Sequence, residues 1–150
     1  MIIKSIDSPI EHGQKKGNPN ALMHFGVGLS SKQRDLLLKL PDFDSKALVE
    51  KNAVSMSDLS ALTAFTGDEF AMFTKNKKRL IIRGNANSVN IDIDTAKSLA
   101  ADGYRWSGHT HPGIGEFSLV ASDGDFEILS SFPQTQSVIY NSLGNHEVFY

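Results

Sequence analysis

Tyr104-Arg105-Trp106-Ser107-Gly108-His109-Thr110-His111-Pro112-Gly113 is the stretch whose reading decides both fold and site. Residues 104–108 read as a strand that runs straight into His109, and Pro112 and Gly113 then break the extended chain. In an extended segment, residues two apart point to the same side, so the imidazoles of His109 and His111 can face one point in space. Two neutral imidazoles so placed are good zinc ligands. The plain alternative is a polar loop with two exposed histidines.

Outward toward the C-terminus, Ser122-Asp123-Gly124-Asp125 reads as the opening of a helix over 123–132, with Ser122 as its cap. A strand over 137–141, a Leu143-Gly144-Asn145 turn and a strand over 146–150 follow. Toward the N-terminus, Asp94 or Thr95 starts a helix through Ala96, Leu99 and Ala100, closed by Gly103. Before it come a short strand at 89–91 and two strands, 69–74 and 79–84, joined by Lys75-Asn76-Lys77-Lys78. Those lysines read as a solvated hairpin turn. A helix starting at Ser55 or Ser57 ends at Phe65, with Leu59, Leu62 and Phe65 on its inner face and Gly67 just past its end. A helix over 31–40 has capping-box spacing at Ser30 and Gln33, a Leu36, Leu37, Leu40 stripe, and Pro41 as its stop. Both early helices read as packing elements. Residues 1–28, with Pro9, Gly13, Gly17 and Pro19, read as an arm or a linker remnant of a longer parent. Residues 29–150 read as one domain, a helical extension over 29–66 and a site-bearing core over 67–150. The order of elements gives an α/β or mixed α+β sheet domain.

The 150 residues suffice for one independently folding domain. A formal net charge of -2 argues against a general phosphate-binding surface, and 40% hydrophobic residues argue against disorder. With no cysteine, a metal here must be held by imidazole and carboxylate. Neither a membrane-spanning run nor a secretory signal is visible, so the expected setting is the cytoplasm, or delivery as part of a larger protein.

Two histidines and one aspartate leave the fourth position of a zinc ion for water, the arrangement of a catalytic site. Zinc lowers the pKa of water and polarises a carbonyl. Hydrolysis then needs a carboxylate base that is not itself a ligand. Glu116 lies in a flexible loop where a base is poorly positioned. Glu127, on the helix after Asp125, reads as surface. His12, His24 and His146 have no partner at ligand spacing and read as structural or solvated.

At this point the chain resembles the JAMM (JAB1/MPN/Mov34) metalloprotease family. That family's pattern is a glutamate on an early strand, then His-x-His-Pro, then Ser-x-x-Asp at a helix start. This sequence has Glu69 heading Glu69-Phe70-Ala71-Met72-Phe73, then His109-Thr110-His111-Pro112, then Ser122-Asp123-Gly124-Asp125. The resemblance covers 68–150. It implies a layered, cytidine-deaminase-like mixed sheet flanked by helices. It also implies zinc on His109, His111 and Asp125, Glu69 as the base that shuttles a proton to the leaving nitrogen, and Ser122 as hydrogen-bond donor to the developing oxyanion. Trp106 and Ser107 are expected to pack the strand. The chain departs from the family in one respect: ten residues separate His111 from Ser122, against a usual seven. That length makes Asp123 a competitor to Asp125. The three-residue step from Ser122 to Asp125, which puts both on one helix face, favours Asp125.

More loosely, Arg83-Gly84-Asn85, Ser107-Gly108-His109 and the segment 137–142 resemble C-terminal domains of phage-associated or polymorphic-toxin proteins of bacteria. The expected function is zinc-dependent hydrolysis of a peptide or isopeptide bond. The expected partners are a peptide or protein-conjugate substrate and, for a toxin domain, a parent multidomain chain or an immunity protein. Neither nucleic acid nor membrane is expected. Two other readings compete. A toxin nuclease is disfavoured by the acidic balance and the lack of a basic, aromatic groove. A silent MPN-like binding module has no physical need for two histidines, Ser122 and an acidic partner.

Overall fold

The computed structural model describes the backbone of Ser5–Asp7 and residues 28–150. His12, His24 and most of the expected 1–28 arm lie outside the described residues. The described part is mixed α+β, with four helices and a six-stranded mixed sheet. The strands are β1 (Ser5–Asp7), β2 (Lys46–Glu50), β3 (Phe70–Lys75), β4 (Lys78–Arg83), β5 (Ser88–Asn90), β6 (Arg105–Thr110), β7 (Ser137–Tyr140) and β8 (His146–Phe149). The helices are α1 (Ser31–Leu38), α2 (Met56–Thr66), α3 (Ile93–Ala101) and α4 (Asp123–Leu129). The large sheet runs β2-β4-β3-β6-β7-β8, and β1 pairs with β5 in a separate two-stranded ribbon. Thus three residues of the expected arm form a strand.

Alternation along the central strands divides the core. Phe70, Met72 and Ile81 face one side, where they pack with Leu36 of α1 and Leu59 and Leu62 of α2. Ala71, Phe73, Ile82, Trp106 and Ile139 face the other, against Ala96 of α3 and Ile128 of α4. Helices therefore cover both faces, so the central strands carry apolar residues on both sides.

Several expected boundaries shift for identifiable reasons. The extension over 29–66 is not purely helical, because Ala47 and Val49 point inward from β2 and the strand pairs antiparallel with β4 at the sheet edge. Phe65 is not on the inner face of α2 but is 52% exposed. Six residues past Leu59 is 600° of helical rotation at ~100° per residue, about a third of a turn off the Leu59 stripe. Helix α3 begins at Ile93, because the Asp92 side chain caps it by accepting from Thr95 N–H at 2.7 Å. Helix α4 stops at Leu129, after which Ser131 and Phe132 make tighter turns. The lysine hairpin is as expected, a two-residue turn with Asn76 at φ 55°, a conformation asparagine tolerates.

Strand β6 extends past its expected end through His109 and Thr110, because both edges are paired there. His109 lies opposite Ala71 of antiparallel β3 and beside Ile139 of parallel β7. This β6–β7 pair is the parallel one in the sheet, and the connection between them passes through α4. The histidines thus sit at the carboxyl end of a parallel strand pair, where open sheets commonly place their sites.

Candidate metal centre

A β-bulge sets the orientation of His109. Met72 pairs with Gly108 but Phe73 pairs with Trp106, leaving Ser107 as the extra residue of β6. Residues three apart on a regular strand face opposite sides, whereas the extra residue brings Trp106 and His109 to the same side. Their rings stack at 4.9 Å between centroids with a 23° tilt, and Phe149 meets the His109 ring edge-on at 5.8 Å. Trp106 packs in the core as expected, and Ser107 Oγ shares a 2.5 Å hydrogen bond with Thr74 Oγ1. Close backbone approach is also required. A Cβ on Gly108 would lie 2.8 Å from Val138 Cγ1 and 3.0 Å from the Val138 carbonyl oxygen.

Thr110, between the two histidines, points to the opposite face. Its Oγ1 accepts from Phe70 N–H at 2.9 Å and shares a 2.5 Å hydrogen bond with Thr63 of α2. The backbone of His111 donates to the Tyr140 carbonyl at 2.9 Å. Helix α2 is therefore more than the apolar packing element the sequence suggests. Its buried Thr63 and Ser60 fasten the strand ends beneath the histidines.

From the other side comes Asp125. Ser122 caps α4 in a reciprocal box: its Oγ accepts from Asp125 N–H at 3.1 Å, and its N–H donates to Asp125 Oδ2 at 2.9 Å. The box turns the Asp125 carboxylate back toward the histidines. Oδ1 lies 3.1 Å from His109 Nε2 and Oδ2 lies 3.4 Å from His111 Nε2. The two Nε2 atoms are 3.0 Å apart. His109, His111 and Asp125 are fully buried and form a group that can hold a metal ion, with one ligand atom of each within 4.8 Å of the others. Asp123 is exposed on the first turn of the same helix.

The donor set fits a cation. His111 Nδ1 lies 3.2 Å from the Ser118 carbonyl, which can only accept, so Nδ1 carries the proton and Nε2 presents its lone pair. Burial pushes the His111 pKa down, outweighing the opposing hydrogen bond and charge of Asp125, and this favours the neutral ligand form. For Asp125, burial opposes ionisation. The charge and hydrogen bond of His109, with His111 alongside, overcome it and hold the carboxyl well below its usual range. These directions favour a neutral His111 and an ionised Asp125, the forms in which each can ligate a metal.

Glu69 is fully buried just before β3. Its N–H donates to the Asn85 carbonyl at 2.8 Å and its carbonyl accepts from Gly84 N–H at 2.7 Å. It directly precedes β3, two residues before Ala71, which pairs with His109. Glu116 and Glu127 are exposed, and His146 is exposed on β8, stacked on Tyr140 at 4.8 Å.

Sequence reasoning passed over two contributors. The segment between Pro112 and Ser122, read as a flexible loop, contains a 3-10 turn (Glu116–Leu119) that delivers Ser118 to His111. Asn141, the residue after β7, is 1% exposed and binds this loop. A polar residue at the end of an apolar strand is the faint sequence signal Asn141 gives, and Ser118 gives none.

Compared with family models, curated proteins and solved structures, the chain matches none. Among the described residues no helix is long and apolar enough to cross a membrane.

Proposed function

We propose that the protein is a zinc-dependent hydrolase of JAMM type that cleaves a peptide or isopeptide bond. The observation that carries this reading is the convergence of His109 Nε2, His111 Nε2 and the Asp125 carboxylate in one buried site. The JAMM resemblance supports it through residue order. A glutamate precedes β3, the two histidines follow one another at the end of β6, and the serine-capped aspartate turns toward them.

His109, His111 and Asp125 would hold the zinc. Zinc bound there supplies Lewis acidity, which makes water a nucleophile near neutral pH and polarises a carbonyl. The chain's own residues do the rest. Glu69 takes the proton of the attacking water on its carboxylate and returns it to the leaving nitrogen, so the amine departs neutral. Ser122 keeps its Oγ acceptor side on Asp125 N–H, which leaves its hydroxyl proton to donate to the oxygen that gains charge as the carbonyl is attacked. Ser122 is also the half-buried member of the group, so substrate approaches past the start of α4.

The experiment is cleavage of a panel of peptides and isopeptide-linked conjugates, beside RNA and DNA, with and without chelator. Chelator-sensitive cleavage of an amide substrate is expected. Chelator-sensitive cleavage of nucleic acid instead would replace this reading with a nuclease, and zinc binding without turnover of either would point to a binding module.

A further inference from the structure

We infer that Asn141 and Ser118 form a positioning chain that fixes the tautomer and aim of His111, an inference that rests on the metal-site reading above. Every polar group of the Asn141 backbone and side chain is engaged. Its Oδ1 accepts from Leu143 N–H at 3.0 Å and Asn145 N–H at 3.1 Å. Its backbone N–H donates to the Asn145 carbonyl at 2.9 Å, and its own carbonyl accepts from Ser60 Oγ at 2.5 Å. With Gly144 N–H, which also donates to the Asn141 carbonyl at 3.1 Å, these bonds build the β7–β8 turn and tie it to α2. The remaining bond does neither. Asn141 Nδ2 donates to Ser118 Oγ at 3.1 Å, across 23 residues of sequence, onto the 3-10 turn that carries the Ser118 carbonyl.

That carbonyl is the acceptor for His111 Nδ1. Ser118 Oγ in turn donates to the Gly115 carbonyl, closing the turn on itself. The neighbouring residue repeats the connection. Ser142 N–H donates to the Gly113 carbonyl at 2.9 Å, and Ser142 Oγ accepts from Gly113 N–H at 3.0 Å. Asn141, Ser142 and Ser118 are all buried, so each bond lacks competition from water. An imidazole whose far nitrogen is held by a fixed acceptor is a better and better-aimed ligand, and losing such a partner typically weakens metal binding about 10- to 100-fold.

The test uses the full chain and three variants: Ser118→Ala, Asn141→Ala and the pair together. Ser118→Ala keeps the backbone carbonyl and removes only its fastening, so it decides the question even if Asn141→Ala does not fold. Zinc affinity is measured by chelator competition, and the His111 tautomer by ¹⁵N NMR of the zinc-free protein. Each single variant is expected to weaken zinc about tenfold or more. The pair should be no weaker than the weaker single, because both cut one chain. The Nδ1-protonated signature of His111 should become a mixture of tautomers. A folded Ser118→Ala protein with unchanged zinc affinity and an unchanged tautomer would overturn the positioning role and leave the metal site standing. A wild-type protein that binds no zinc would overturn both.

Discussion

His109 Nε2 lies 3.0 Å from His111 Nε2, and neither ring reaches solvent. With the proton of His111 on Nδ1, its Nε2 is a bare lone pair. His109 must then meet it with a proton of its own, or both must share a cation. The Asp125 carboxylate, 3.1 Å from His109 Nε2, adds negative charge that would favour a cation between the rings.

The two aspartates of α4 should separate cleanly. Asp125→Asn is expected to weaken zinc binding strongly and to abolish turnover, since it removes a charged ligand and disturbs the cap on Ser122. Asp123→Asn, on the exposed first turn, should keep zinc and cost at most about 1 kcal/mol through the helix dipole. Zinc affinities of the two proteins compare them directly, and a larger loss for Asp123→Asn would contradict the geometry.

Glu69→Gln should fold and hold zinc yet lose about a hundredfold or more in turnover, the usual loss on removal of a general base. Steady-state kinetics of Glu69→Gln beside Glu116→Gln check this. Full turnover in the first and loss in the second would move the base to the exposed 3-10 turn.

The pH dependence follows from the directions of two shifts. His111 is held below its ordinary value of 6.5, so below that pH the unfolded chain binds the proton first. Stability of the zinc-free protein is therefore expected to fall as pH drops below 6.5 toward the lowered folded value. Asp125, held below 3.8, contributes stability that is present above 3.8 and is lost as pH falls through its folded value. Zinc affinity should fall over the upper of these ranges, as protons compete for the imidazoles. Denaturant titrations at several pH values show the effect. Stability that rises between pH 7 and 5.5 would contradict it.

Gly108→Ala should destabilise the fold by about 1–3 kcal/mol, because the new methyl meets Val138 and, at 3.1 Å, Met56 Cε. Since β6 carries His109, zinc affinity should fall as well. Chemical denaturation with and without zinc measures both, and unchanged stability would show that β6 and β7 have room to part.

Much of this was legible from residue order. The period-two and period-3.6 patterns predict α1, α2, β3, β4, β6 and α4 near their observed places, and the three-residue step from Ser122 selects the aspartate that turns inward. What was hidden depends on partners remote in sequence. β2 is short, with only Ala47 and Val49 buried, and it becomes a strand because β4 pairs with it. The Trp106–His109 stack needs the bulge at Ser107, which arises only when β6 is laid against β3. Ser118 looks like an ordinary loop residue, and Asn141 like the last residue of a strand, until the chain brings them together behind His111.

Zinc content of the purified protein tests the central claim most directly. Elemental analysis is expected to find about one zinc per chain in the wild type, with most of it lost in His109→Ala and in His111→Ala. Equal zinc in the wild type and both variants, or none in any, would contradict the account.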